Sequence, residues 1–536
     1  MAKKQIYILD TTLRDGQQSP GAGMSFEENI QYAEIAHKLR IDILEAGFPS
    51  ASSTDFAIVN QISKNMAAKN SPMTISSLCQ LREDQVHKTM EALAPSLAIG
   101  KARIHIYVPV DPDLMPASLG SFAEDKVGIA ETVYRLIKIM TDKGFEVEFS
   151  PEGYSRQREN FDFVTEVIRQ AVKAGATIIN CPDTIGGASA LQGEDYFINN
   201  MAKHKAIIET EFPNRDIIWS MHCHNDFGLA VQNSLNGVTH GIARQIEGCI
   251  NGIGERAGNA ALEQCIMIIR QFGSQKQLQD EYYTNIDIKY IQEASNFIAE
   301  RMLPRQPHSP IVGNNAASHT SGGHTNAVLK NPLAYQPFDP RDIGSEISFA
   351  FGPLSGGNHA QQIIHKFNYV CGNEEKAQVC QAIKDHFADR RKGITDEELI
   401  EGYKLYRSPI ELKHLNYSKN DDNTTTVQLD GKFFDKIKLE ITYKGKGSAL
   451  SALNNAIGEY LPSIKVVDYH SHSMGLDTDA ACESTIIVEY NSNRYTGIAL
   501  DEDIEASAIK AFINAANNAF IETNYKLKVD FNRIER

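Results

Sequence analysis

None of the eight cysteines stands in a CxxC pair. Cys79, Cys181, Cys223, Cys249, Cys265, Cys371, Cys380 and Cys482 are scattered along 536 residues, which argues against a disulfide framework and reads as the reduced thiols of a cytoplasmic protein. Apolar runs long enough to span a bilayer are missing, so no membrane partner is expected. The opening MAKKQIYILDTT carries two lysines but no apolar stretch and no small-residue cleavage site, so no secretory signal is expected either. Positive charge is in short supply. The 53 Lys and Arg face 68 Asp and Glu, for a net charge of -15, which removes the electrostatic case for nucleic acid or an anionic lipid surface. If the substrates are anions, a few local cations must hold them.

What is present is a soluble-type composition, 42% hydrophobic and 23% charged, in a chain long enough for two or three domains. The first 270 or so residues repeat one pattern, a short apolar or β-branched run followed by a helical stretch. The runs are 6–12, 43–48, 74–79, 103–108, 146–152, 178–184, 217–226 and 244–252. Eight strand–helix units over about 250 residues predict a closed (β/α)8 TIM barrel, with an open doubly wound sheet as the alternative. The polar residues cluster around the ends of these runs: Arg14, Asp15, Glu45, His105, Glu152, Asp183, Thr184, His222, His224 and Asn259. In such a barrel the C-terminal strand ends form one mouth, so residues far apart in sequence converge there.

The predicted organisation is a catalytic barrel over 1–275, helical linker subdomains over 276–426 and a C-terminal α+β domain over 427–536. ITDEEL (394–399) carries a capping box from Thr395 to Glu398. The polar stretch NYSKNDDNTTT (416–426) reads as a linker. Beyond it, strand patterns followed by a helix occur twice, which suggests a domain of two α+β halves. Its last helix presents Ile504, Ala508, Ala511, Phe512, Ala515, Ala519 and Phe520 on one face.

Three motifs carry chemistry. In His222-Cys223-His224-Asn225-Asp226, residues i and i+2 of a strand put both imidazoles on one face, suited to a divalent metal. The pair alone is weak, and two surface histidines is the bland reading; the position at a strand end is what raises it. In Asp10-Thr11-Thr12-Leu13-Arg14-Asp15-Gly16, Asp15 could supply a hard oxygen ligand and Arg14 could fix a carboxylate or an oxyanion; a salt-bridged turn is the alternative. Gly252-Ile253-Gly254-Glu255-Arg256-Ala257-Gly258-Asn259 permits a tight loop, and Asn259 could add an amide oxygen. Asp, two His and Asn make a mixed N/O sphere with open positions, fit for Mg, Mn, Zn or Fe(II).

DTTLRDG, HCHND and GIGERAGN in this order resemble the metal-dependent acyltransferases of the α-isopropylmalate/homocitrate synthase family. SPE at 150–152, PIVGNNA at 310–316, SGGHTNAVLKNP at 321–332 and the C-terminal domain extend the resemblance to nearly the whole chain. The resemblance implies a Claisen-type condensation of acetyl-CoA with a 2-oxo acid, 3-methyl-2-oxobutanoate, then thioester hydrolysis, opening leucine biosynthesis. It implies Asp15, His222, His224 and Asn259 as ligands of Mn2+ or Mg2+, with Zn2+ as a third option. Arg14 and Thr184 would bind the oxo acid, His105 would touch it, and Glu152 and His324 would be the acid/base residues, with His324 reaching the barrel mouth from outside it on a glycine-rich loop (Gly322, Gly323) free to close over substrate. Glu45 would be a partner of Arg14 or part of a buried ion pair. The resemblance further implies a homodimer inhibited by L-leucine at the C-terminal domain, which contains loops such as SMGLDTDAA (473–481) and whose seam between two halves is a natural place for a small amino acid. Citramalate or homocitrate synthase, and an acyl-CoA aldol lyase on the same barrel, are the rival readings. The chain departs from the family at HTSGGHTNA (319–327), where HESGIHQDG is usual, and at GPLSGGNHA (352–360), where a GKHSGR-like segment is usual. Both departures lie outside the barrel and leave the metal motifs intact. They direct attention to the acyl-CoA contacts and to the choice of oxo acid.

Overall fold

Eight short strands between Tyr7 and Gly248 close on themselves. In this computed structural model, which describes residues 2–278, 280–390, 393–419, 424–434, 436–444, 448–474 and 481–527, they are β1 (Tyr7–Asp10), β2 (Ile43–Glu45), β3 (Thr74–Gln80), β4 (Ala102–Pro109), β5 (Glu146–Glu152), β6 (Ile178–Asp183), β7 (Ile218–Cys223) and β8 (Gln245–Gly248). All neighbours are parallel, and β8 returns to β1 through Ile8↔Ile246 and Asp10↔Gly248. The eight runs seen in the sequence are these strands. The open sheet is excluded, and the architecture is the (β/α)8 barrel.

Helices cross over between the strands, and their sequences explain their limits. Phe26–Leu39 starts at a capping box in which Ser25 and Glu28 bond each other's backbone N–H. Phe161–Ala174 buries Phe163, Val164, Val167, Ile168 and Ala171 on one stripe. It stops at Gly175 (φ +111°), where a Cβ would come within 3.1 Å of the Thr141 side chain. The strands bury mostly aliphatic residues, but the barrel interior is charged as well. Glu45, Arg103, His105, Glu148 and Glu247 are all buried. Arg103, near the start of β4, donates to Glu146 (2.7 Å), Glu148 (3.0 Å) and Gln245 (2.7 Å). These bonds satisfy the polar floor beneath the mouth.

Two units divide the chain: Met1–Ser318 with Gln336–Ile347, and His319–Tyr335 with Ser348–Arg536. The first holds the barrel. The second holds the helices Gly357–Lys366, Lys376–His386 and Asp396–Arg407, the last with the expected Thr395–Glu398 capping box. It then repeats one motif, three antiparallel strands and a helix. The first copy is β9 (Ile410–Lys419), β10 (Thr424–Phe433), β11 (Lys436–Lys444) and the helix Ala449–Gly458. The second is β12 (Lys465–Ser473), β13 (Cys482–Tyr490), β14 (Asn493–Asp501) and the helix Ile504–Asn524. On that last helix Ala508, Ala511, Phe512, Ala515 and Ala519 are buried, whereas Ile504 is exposed.

The expected linker at 416–426 is corrected by β9 and β10, which pair Asn416↔Gln428 and Ser418↔Thr426. Polarity suggested a linker, but the threonines are β-branched and suit a strand, and Thr424, Thr425, Val427 and Leu429 are buried. The three-stranded sheet therefore begins at Ile410, ahead of residue 427. Of the loop at 473–481, residues 475–480 lie outside the described residues. Among the described residues no helix is long and apolar enough to cross a membrane.

Candidate active site

The C-terminal ends of the strands open onto a cleft of about 210 Å³ lined by Arg14, Asp15, His105, Glu152, Thr184, His222 and His224, together with Tyr107, Ser150, Asn180, Glu247, Glu255 and Arg256. Eight of the nine residues given metal, substrate or acid/base roles from the sequence therefore meet here, counting Asn259, whose Nδ2 donates to Asp15 Oδ1 at 2.6 Å. The ninth, His324, belongs to the second unit. It lies on a short helix, Gly322–Val328, where a glycine loop was expected, and its ring stacks on Tyr335 at 3.9 Å.

Strand register and loop pairing explain the convergence. Pro182↔His222 and His222↔Glu247 are paired across β6, β7 and β8. The loop after β7 is stitched to the loop after β8: Asn225 N–H donates to Gly258 O at 2.9 Å, Ala260 N–H donates to Cys223 O at 3.0 Å, and His224 bridges Asn259. Gly254 (φ +145°) is needed there, because a Cβ would stand 2.8 Å from Asp15 Oδ1 and press on the Asn259 amide. Arg256 holds the outer rim, donating to Asp226 (2.9 and 3.0 Å) and to the Thr184 carbonyl (2.6 Å). The Thr184 hydroxyl in turn accepts from Gly153 N–H at 2.9 Å.

Arg14 is the electrostatic centre. Its guanidinium donates to Asp15 Oδ2 (2.5 Å), Glu45 Oε2 (2.6 Å) and Glu247 Oε1 (2.9 Å). Burial alone would discharge it, but the three carboxylates drive its pKa above the ordinary arginine value. Glu45 also accepts from Thr11 (2.6 Å) and from His105 Nδ1 (2.7 Å), so Glu45 is both a partner of Arg14 and part of a buried ion pair. Burial would strip the proton from His105, yet Glu45 raises it to about 9, and Nε2 lies 2.6 Å from Ser150 Oγ. Burial lifts the Glu152 carboxyl above its usual range, only partly offset by Arg14.

Asp15, His222 and His224 each offer a ligand atom, and these atoms lie within 4.8 Å of one another. The two imidazoles approach Nε2 to Nε2 at 3.3 Å. Burial raises the Asp15 carboxyl, but Arg14, His222, His224 and Asn259 outweigh it and hold Asp15 down at about 2. Burial and then His222 push His224 down to about 4, a neutral ring at ordinary pH. Asn259 Oδ1 is buried with no hydrogen-bond partner. The donor set fits a divalent cation.

The sequence reading missed Glu247, Asn180, Ser150 and Tyr107. Asn180 donates to Ser150 (3.0 Å) and to Glu247 (2.8 Å), closing the inner wall. Period two along a strand could have found two of them. Ser150 is two residues before Glu152, and Tyr107 two after His105.

Known proteins match the chain along nearly its whole length. Residues 5–298 match the HMGL-like family, residues 311–392 the homocitrate synthase post-HMGL domain-like family, and residues 394–520 the LeuA allosteric (dimerisation) domain. A 2-isopropylmalate synthase of Aquifex aeolicus (strain VF5) is 33% identical over 540 residues, covering 97% of both chains. One from Trichormus variabilis (strain ATCC 29413 / PCC 7937) is 34% identical over 542 residues, covering 96% of both. With such similarity along nearly the full length of each relative, and with the closed barrel beneath it, the chain belongs to the 2-isopropylmalate synthase family of acyltransferases.

Proposed function

We propose that the barrel mouth condenses acetyl-CoA with 3-methyl-2-oxobutanoate and that water then cleaves the thioester. The observation that carries this is the meeting of Arg14 with Asp15, His222, His224 and Asn259 in one cleft. Asp15, His222, His224 and Asn259 are assigned to hold a divalent cation, Mn2+ or Mg2+ before Zn2+. When bound, such an ion polarises the keto group of the oxo acid. Arg14 and the Thr184 hydroxyl are assigned to the anionic oxo acid. The guanidinium is held by three carboxylates, so it meets the developing alkoxide already oriented. His105, charged and braced between Glu45 and Ser150, lines the same wall and contributes positive potential toward the substrate.

The acetyl methyl is a weak carbon acid and needs a positioned base. Glu152 is assigned to proton transfer, because a carboxyl lifted by burial accepts a proton more readily than one in water. His324 is assigned as its acid/base partner on resemblance alone. The second unit is assigned as a dimerisation and L-leucine-responsive domain, which the match of residues 394–520 supports. A cytoplasmic location accords with eight free cysteines.

Thiol release from acetyl-CoA in the presence of a panel of 2-oxo acids tests the reading. 3-Methyl-2-oxobutanoate is expected to give the highest kcat/KM. Turnover supported only by pyruvate or by 2-oxoglutarate would replace this substrate with that of a citramalate or homocitrate synthase. Cleavage of an acyl-CoA aldol without condensation would replace the reaction itself.

A further inference from the structure

The buried carboxylate of Glu247 is left without a role in that scheme. Glu247 lies on β8, fully buried, in register with His222 on β7. Its Oε1 accepts from Arg14 Nη2 at 2.9 Å and lies 3.2 Å from His222 Nδ1. Its Oε2 accepts from Asn180 Nδ2 at 2.8 Å. A single oxygen therefore stands between the guanidinium assigned to the oxo acid and the rear nitrogen of a proposed metal ligand.

We propose that Glu247 is a positioning residue whose Oε1 holds the Nδ1 proton of His222, so that Nε2 is left as the electron-pair donor, and that the same atom fixes the fork of Arg14. The inference rests on the metal-site reading above. A neutral imidazole carries one N–H, and a carboxylate at Nδ1 decides that the proton sits there. Such a carboxylate also makes the opposite nitrogen a better donor. Neither Nδ1 has a hydrogen-bond partner, but among the described residues only that of His222 has a carboxylate in ion-pair range, Glu247 Oε1 at 3.2 Å. The tautomer of the pair is thus set from the His222 side. Asn180 pins the second oxygen, so the carboxylate cannot swing away from either contact. Glu45 provides a matched comparison. It too is fully buried and bonded to Arg14, but its other bonds go to His105 and Thr11.

The test is Mn2+ titration calorimetry on the metal-stripped full chain, for wild type, Glu247→Gln, Glu45→Gln and His222→Ala, with circular dichroism to verify folding. Glu247→Gln is expected to weaken Mn2+ binding by about 10- to 100-fold, the usual effect of losing such a support. Glu45→Gln should stay within a few-fold of wild type, and His222→Ala should lose at least as much as Glu247→Gln. If His222→Ala binds Mn2+ like wild type, the metal-site reading itself fails. If His222→Ala weakens binding and Glu247→Gln does not, only the role of Glu247 fails. Equal losses in Glu247→Gln and Glu45→Gln would show a general effect of removing buried charge and would also overturn it. Should Glu247→Gln not fold, Glu247→Asp keeps the charge but withdraws the carboxylate by one methylene. That variant should lose about 10-fold or more in affinity, and wild-type affinity would refute the proposal.

Discussion

Arg14→Lys separates two jobs that one side chain holds in this site. Lysine retains a positive charge among Asp15, Glu45 and Glu247, so most of the Coulombic balance survives. It loses the planar fork that meets the three carboxylates at 2.5, 2.6 and 2.9 Å through three different nitrogens. A single ammonium cannot hold all three and still face the cleft in a fixed direction. Removing a preoriented donor to a developing alkoxide costs about two orders of magnitude or more in rate, roughly 3 kcal/mol. The fold should suffer less. Arg14→Ala, which leaves the buried carboxylates without a counter-charge, is expected to destabilise by about 3–5 kcal/mol, and Arg14→Lys by clearly less than that. Thiol-release kinetics with 3-methyl-2-oxobutanoate and urea unfolding of the two variants measure the two effects. A Lys variant within a few-fold of wild-type kcat/KM would mean that the guanidinium only neutralises its neighbours and does not act on the substrate.

Three other outcomes are expected. Burial raises the Glu263 carboxyl from 4.5 to about 7, with Asp10 adding to the effect, so the folded chain keeps a proton that the unfolded chain has released. The contribution of Glu263 to stability is therefore greatest below pH 4.5 and falls as pH rises to 7, by about 3 kcal/mol in all; Glu263→Gln should remove this fall, and unfolding profiles with the same pH slope for both proteins would disprove it. His324→Asn should depress kcat sharply if the ring moves a proton, whereas normal turnover would take His324 out of the reaction. Full-length protein should bind L-leucine in calorimetry and be inhibited at millimolar concentration; absence of both effects would end the regulatory reading and leave the catalytic one standing.

The barrel was legible because its evidence is local. Each strand is a short β-branched or apolar run, each helix shows a stripe, and eight such units fill the length that the closed sheet needs. The mouth residues were legible for a related reason, since ends of runs can be read without knowing which strands are neighbours. What lies between neighbours could not be read. Arg14 takes its partners from 31 and 233 residues away, and His105 takes Glu45 from 60 residues away. Glu247 sits in the strand Gln245–Gly248, where Gln245 and Glu247 alternate with Ile246 and Gly248; the alternation puts the two polar residues on one face without saying that this face is the barrel interior.

The two local misreadings, by contrast, came from giving one property too much weight. At 416–426 polarity was weighed above β-branching, and the threonines formed a strand. At 321–328 the glycines were read as freedom of the backbone, and a helix formed instead. Gly322 shows why. A Cβ there would stand 2.9 Å from the Leu354 carbonyl oxygen, whose partner is the Gly322 N–H at 3.1 Å. The residue is small because two backbones touch, and that contact ties the segment carrying His324 to GPLSGGNHA (352–360). The two segments that the sequence reading set apart, 319–327 and 352–360, therefore lie against each other. Asn326 and Asn358, one from each, are joined by a side-chain hydrogen bond of 3.1 Å. A change in one departure is thus felt directly by the other, and restoring family residues in either segment alone would meet an unaltered neighbour. Restoring both together is the substitution that the geometry treats as a unit.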